Sequence, residues 1–321
     1  MKKHLFLLVA LLVFIMPFTA VAQEQAVVDR LQAYNLMLPQ GYGVTSVENA
    51  VTFLSENPDT LLLDVREIAE YEAGHLENSF NVPIRTLSQN LALLPDLDAP
   101  ILVICKGGAR ATLAATSLGI LGYSNVKILA GGYDAWAGAE LTTTLEPYVP
   151  EAATAPEIDG VIFEAVDTYL TTLPEGFGFV SPQNAVVELT SDTAPVLLDT
   201  RSLDEWNAGY IEGAQHIWIN EFMMSRDEWP ADLDTPIIIY CASGYRGSIA
   251  TVIMRLMGYT KRMAGGGVPA CRCTCGRTRR RSAADRLRRR IARIVQRGAC
   301  RRSGDRARSR ERPRTGRCAL R

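Results

Sequence analysis

The chain has 321 residues, 47% of them hydrophobic and 21% charged, enough for two domains with a core each. Its formal net charge of −1 hides two opposite blocks, because the first 270 residues sum to −18 and the last 51 to +17. That asymmetry excludes a uniformly acidic or basic molecule and sets the end of the chain apart from the rest.

Residues 1–22 read as a signal peptide. Lys2 and Lys3 form a basic start, Leu5 to Phe18 is an apolar core, and Ala20-Val21-Ala22 is a small-residue cleavage site. The apolar core is too short for a comfortable spanning helix. The mature protein is therefore expected to be exported, periplasmic or secreted, with no stable membrane anchor. A lead segment over 23–43 comes next, then a first domain over 44–140, a Thr-, Pro- and Ala-rich linker over 141–162, and a second domain over 163–270.

The two domains are copies. LPQGYG at 38–43 returns as LPEGFG at 173–178, SVENAV as SPQNAV, and LLLDVREIAEYEAG as VLLDTRSLDEWNAG, all at an offset of 135 residues. ILVICKGGAR returns as IIIYCASGYR at an offset of 136. LLLDV, ILVIC and VKIL in the first copy, with VLLDT and IIIYC in the second, are short continuous apolar runs, the pattern of parallel strands buried on both faces. Helix-length amphipathic stretches such as ATLAATSLGILGY lie between them, so the fold class is α/β with a parallel sheet flanked by helices in each copy. In such sheets ligands bind beyond the carboxyl ends of the strands. Asp64 and Asp199 end one strand of each copy, and Cys105 and Cys241 end another.

Each of these cysteines stands before a glycine-bearing turn that opens a helix. Inward backbone N–H groups and a helix N-terminus favour a thiolate, so a lowered thiol pKa is expected. The cradle in the first copy is Lys106, Gly107, Gly108, Ala109 and Arg110. In the second it is Ala242, Ser243, Gly244, Tyr245 and Arg246. Arg110 and Arg246 would close the ring and hold an anion. The histidines of the body, His75 and His216, do not occupy matching positions, and a packing role is expected for His75. Asp64 with Arg66, and Asp199 with Arg201, are supporting residues expected to fix their loops rather than touch substrate. Tyr71, Trp136 and Trp206 read as core aromatics.

On these motifs, in this order and duplicated, the chain resembles the rhodanese family over roughly 44–139 and 179–270. The resemblance implies sulfur transfer: the cysteine takes a sulfane sulfur from a small donor such as thiosulfate, becomes a persulfide, and passes the sulfur to a thiol or cyanide. Carried over by position, Cys105 and Cys241 are the sulfur carriers, and neither a metal nor an organic cofactor is needed. Two features depart from the family pattern. Well-known two-domain members keep the cysteine only in the second domain, and thiosulfate-preferring members carry two basic residues after it, where this chain has only Lys106 in one loop and none in the other. Two other readings compete, a non-catalytic rhodanese-like binding module and a cysteine-dependent phosphatase or arsenate reductase. The phosphatase loop has five residues between Cys and Arg, whereas KGGA and ASGY are four.

The second copy follows the first as far as Gly266-Gly267-Val268-Pro269-Ala270, and then Cys271 stands where Trp136 should be echoed. The last 51 residues hold 20 arginines and no Lys, Phe, Tyr, Trp, Asn, His or Met. That composition reads as GC-rich coding sequence out of frame, which leaves the second domain incomplete and its tail disordered. A genuine basic arm would instead bind nucleic acid or anionic lipid. No nucleic-acid partner is expected otherwise.

Overall fold

The computed structural model describes residues 21–260 and a strand at 263–267. Most of the segment expected to be a signal peptide (residues 1–20 of 1–22), the end of the second copy beyond 267 and the arginine-rich tail lie outside the described residues. Repeat one runs through α1 (21–36), a 3-10 turn at Gln40–Gly43, β1 (Val44–Thr45), α2 (Val47–Glu56), β2 (Leu61–Asp64), α3 (Ile68–Glu72), β3 (His75–Leu76), β4 (Ser79–Asn81), a 3-10 run at Ile84–Leu93, β5 (Ile101–Ile104), α4 (Ala109–Leu121), β6 (Val126–Leu129), α5 (Gly132–Gly138) and β7 (Thr143–Thr144). Repeat two has α6 (Gly160–Thr171), a 3-10 turn at Glu175–Gly178, α7 (Pro182–Leu189), β8 (Val196–Asp199), α8 (Leu203–Asn207), β9 (Gln215–His216), β10 (Ile237–Cys241), α9 (Tyr245–Leu256) and β11 (Met263–Gly267).

The caps repeat with the sequence. Ser46 Oγ accepts from Asn49 N at the head of α2, and Ser181 Oγ accepts from Asn184 N at the head of α7, where Pro182 supplies a preset φ. Both main sheets are wholly parallel, in the orders β1-β6-β5-β2-β4 and β11-β10-β8-β9, as the continuous apolar strands require.

Strand alternation assigns the two faces. Leu63, Ile101, Val103 and Cys105 face one large core, together with Leu198, Ile237 and Ile239 of repeat two. Leu62, Leu102 and Ile104 face a smaller outer cluster closed by Trp136, as Leu197, Ile238 and Tyr240 do in repeat two. The large core is continuous between the repeats, because α4 packs against α9 at its centre. Each cysteine has the parity of the inner face, so both thiols point toward the seam between the repeats.

Two boundaries differ from the sequence expectation. Much of the presumed linker belongs to repeat one: β7 pairs antiparallel with β3, Glu146 O meets His75 Nε2 at 3.0 Å, and Ala153 N donates to Ala92 O at 2.9 Å. Backbone polar groups there found partners, which composition alone could not register. The lead segment is likewise part of the repeat, because α1 has its counterpart in α6.

These leads cross over. α1 covers the end of α4, with Arg30 donating to Gly119 O and Ile120 O, but its Asn35 donates to Ile219 O and accepts from Met223 N in repeat two. α6 packs on the 3-10 run at Ile84–Leu93 of repeat one, where Asp167 accepts from Ser88 Oγ at 2.7 Å.

Candidate active site

β5 and β10 deliver the two cysteines to equivalent places. Cys105 is 1% and Cys241 0% exposed, and both are free thiols. Gly108 N donates to Cys105 Sγ at 3.0 Å, and Gly244 N donates to Cys241 Sγ at 3.1 Å. Gly108 and Gly244 are the N-caps of α4 and α9, with φ of +97° and +100°. A positive φ at this position is one that glycine adopts without strain. Each thiol thus sits at the end of a buried parallel strand and at the head of a helix of 13 or 12 residues.

The loop residues divide by exposure. Lys106, Gly107, Ala109 and Ser243 face solvent, Ala242, Gly244, Tyr245 and Arg246 are half-buried, as is Arg110, and Gly108 is buried. The carbonyl side of the first loop is held by α5: Tyr133 N donates to Cys105 O at 2.8 Å and Asp134 N to Lys106 O at 3.1 Å. The fit is close enough that a Cβ on Gly132 would collide with Cys105 O.

The expected depression of the thiol pKa is not what Cys105 shows. Burial pushes this thiol up from its ordinary value, against the opposing pull of the N–H groups of Ala111, Gly107 and Gly108 and of the Arg110 charge. The cradle is there, and it extends one residue beyond Arg110, but a site closed to water favours the neutral thiol more strongly than the nest favours the thiolate.

The arginines also differ from expectation. Arg110 and Arg246 close the loops, yet their guanidinium edges are engaged. Arg110 holds Glu70 at 2.5 and 2.8 Å, and Arg246 holds Glu205 at 2.5 and 2.8 Å. Each glutamate is at the same time the N3 residue of a capping box, in α3 and α8. The Arg246 hydrogen bond holds the Glu205 carboxyl down at about 2, and Arg110 lowers Glu70 in the same way. Sequence reasoning missed both glutamates. The signal was present in the repeat, since Glu70 and Glu205 stand at the shared offset before an aromatic, in EY and EW.

Asp64 and Arg66 form a buried pair at 2.7 Å, and Asp199 and Arg201 one at 2.6 Å. Arg66 also donates to Glu70 O and Gly74 O, and Arg201 to Gly209 O, so these arginines brace the segment that carries the glutamate. His75 stacks on Tyr71 with centroids 3.7 Å apart, and Tyr210 stacks on Trp206 at the same separation. Both nitrogens of His75 face backbone carbonyls, as a packing role requires.

One contact joins the two loops. The Tyr245 hydroxyl accepts from Gly131 N at 3.2 Å, and a Cβ on Gly108 would lie 2.8 Å from it. A residue of the Cys241 loop is therefore seated against the Cys105 loop. Its counterpart in repeat one, Ala109, has nothing to return.

A profile of the rhodanese-like domain matches residues 49–139 and again 183–269. The chain belongs to the rhodanese family. Its matched curated relatives include the tRNA uridine(34) hydroxylase of Photorhabdus laumondii, 36% identical over 87 residues, which are 26% of this chain and 25% of that protein. That of Pectobacterium atrosepticum is 31% identical over 99 residues, 29% of this chain and 28% of that protein. The chain spans about a quarter of the length of these relatives. Among solved structures, the 3-mercaptopyruvate sulfotransferase SseA of Escherichia coli is 16% identical with a TM-score of 0.36, covering 70% of this chain and 98% of that one. A rhodanese-related protein of Thermoplasma volcanium is 31% identical with a TM-score of 0.29, covering 32% of this chain and 98% of that one. Among the described residues, no group of acidic, Cys and His side chains is arranged to hold a metal, and no helix of the rhodanese domains is long and apolar enough to cross a membrane.

Proposed function

We propose that this tandem rhodanese is an exported sulfurtransferase that uses Cys105 and Cys241 as sulfur carriers. The observation that carries the reading is the duplicated cradle, in which each thiol at a strand end accepts a hydrogen bond from the N-cap glycine of the following helix. In the first half-reaction the Cys105 or Cys241 thiolate attacks the outer sulfur of a sulfane donor such as thiosulfate. The new Cys–S–S bond forms as the donor's S–S bond breaks, and sulfite leaves with the electron pair. In the second, cyanide or an acceptor thiolate attacks the terminal sulfur, leaves as thiocyanate or a persulfide, and returns the cysteine thiolate. The loop N–H groups stabilise negative charge on the sulfur in both halves. An anionic donor such as thiosulfate would meet Lys106 beside the first loop, because Arg110 and Arg246 are already paired with glutamates.

The test is to incubate the full chain with thiosulfate or an organic persulfide and measure intact mass for the wild type, Cys105→Ala and Cys241→Ala. Gain of one sulfur atom that maps to these cysteines is expected. Absence of any gain from every sulfane donor would leave a binding module as the function.

A further inference from the structure

The repeated LPxGxG motif is used neither by the sulfur chemistry nor by either sheet. Both copies make the same 3-10 turn, and both set an aromatic residue at positive φ, Tyr42 at +60° and Phe177 at +57°, each between two glycines that also have positive φ. Bulky residues adopt that conformation only where their surroundings impose it, and such positions cluster at functional sites.

The surroundings in question belong to the other repeat. Tyr42 Oη donates to Asn220 Oδ1 at 3.0 Å, and its ring lies 5.9 Å from Arg246 Cζ. The Phe177 ring lies 4.5 Å from Arg85 Cζ and 5.2 Å from Arg110 Cζ, while Arg85 also donates to Leu173 O and Pro174 O to hold the turn. Arg110 and Arg246 are the residues that close the two cysteine loops. Each guanidinium thus binds a glutamate of its own repeat and lies over an aromatic ring of the other. Both aromatic residues are half-buried.

We infer that Phe177 roofs the Cys105 site and Tyr42 roofs the Cys241 site, each supplied by the opposite repeat, and that these rings decide how bulky a donor or acceptor can reach the sulfur. The inference rests on the sulfurtransferase reading for its chemistry. A small species such as cyanide or an inorganic sulfane passes beside the ring, and a thiol carried on a larger body requires it to move. Neither repeat alone has a complete site.

The experiment compares alkylation of each cysteine in the full chain by iodoacetamide, a small reagent, and by N-phenylmaleimide, a bulky one, with peptide mass mapping to separate the sites. In Phe177→Ala the bulky-to-small rate ratio is expected to rise about tenfold at Cys105 and stay within about twofold at Cys241, on the scale of ordinary pocket discrimination. Tyr42→Ala is expected to give the mirror result, and Phe177→Leu and Tyr42→Phe, which keep most of the bulk, to restore most of the wild-type ratio. An unchanged ratio overturns the inference, as does a change at the cysteine of the ring's own repeat. An equal rise at both cysteines, the signature of a loosened fold, overturns it too. Alkylation needs no sulfur transfer, so a crossed pattern in a protein that takes up no sulfur keeps the roofs and discards the sulfurtransferase reading.

Discussion

The two cysteine loops share one backbone and differ in what stands around them. Behind CKGGAR, the N-terminus of α5 donates two N–H groups to the carbonyls of Cys105 and Lys106. At the repeat offset of Asp134 the second copy's sequence has Pro269, a residue with no N–H to give. In the other direction, the Cys241 loop lends Tyr245 to the Cys105 loop, whereas the first copy has Ala109 at the matching position. Duplication therefore preserved the thiol, the N-cap glycine, the arginine and its glutamate, and allowed the supports to drift apart. The common parts are those the chemistry needs. The divergent parts set how firmly each loop is held.

The largest expected effect tests whether the copies share the work. Cys105→Ala should reduce sulfur turnover by more than about a hundredfold, with a much smaller loss for Cys241→Ala, as for removal of a covalent nucleophile. Equal losses in steady-state assays would show that the better-supported loop has no advantage. Next is Gly132→Ala, where the new Cβ meets Cys105 O at a positive φ. A destabilisation of about 2–4 kcal/mol is expected by denaturant titration, together with impaired sulfur uptake at Cys105 but not at Cys241.

Glu70→Gln and Glu205→Gln should each cost about 1–3 kcal/mol in the same measurement, because a largely buried guanidinium loses its charged partner. Similar values would mark the pair as common to both copies. For the acid limb, Glu205 is depressed in the folded state, so its contribution is present above the unfolded carboxyl value of about 4.3 and is lost as pH falls toward about 2. A carboxyl resonance from Glu205 that titrates near its unfolded value would contradict the ion pair. For Cys105 the sign is opposite. Burial raises the thiol, so its contribution to stability is present below the unfolded value of about 8.5 and is lost as pH rises through the folded one. Sulfur uptake at Cys105 should keep increasing above about pH 8.5, and a plateau near neutrality would mean that the nest outweighs burial after all. The smallest effect is that of Tyr245→Phe, which removes one hydrogen bond and should cost about 0.5–1.5 kcal/mol, with the change in amide exchange confined to Gly131 and the Cys105 loop.

Much of this organisation is legible in the chain itself. Continuous runs such as ILVIC, short and bounded by turn residues, have the pattern of strands covered on both sides, and the offset of 135 residues makes the second copy a check on the first. The cysteines at strand ends follow from that reading alone. What does not follow is any pairing across sequence distance. Glu70 looks like an ordinary first-turn acid until Arg110 is found beside it, 40 residues on. The raised Cys105 thiol reflects a balance between burial and N–H groups, and a local motif records only the second. The crossed leads could not be inferred from LPQGYG and LPEGFG, because a repeat says what recurs and not which copy it touches.

That crossing has a consequence for the history and handling of the chain. A surface that gives a helix and a turn to its twin, and receives the same in return, is self-complementary, the relation found at the two-fold interface of a homodimer. A polypeptide of a single repeat would pair with its own copy to satisfy Asn35 or to cover its 3-10 run. Joining the repeats fixes their stoichiometry at one to one and lets the halves diverge, as Tyr245 and Ala109 have. Cutting the chain between residues 153 and 160 would therefore yield two partners seeking one another rather than two independent domains.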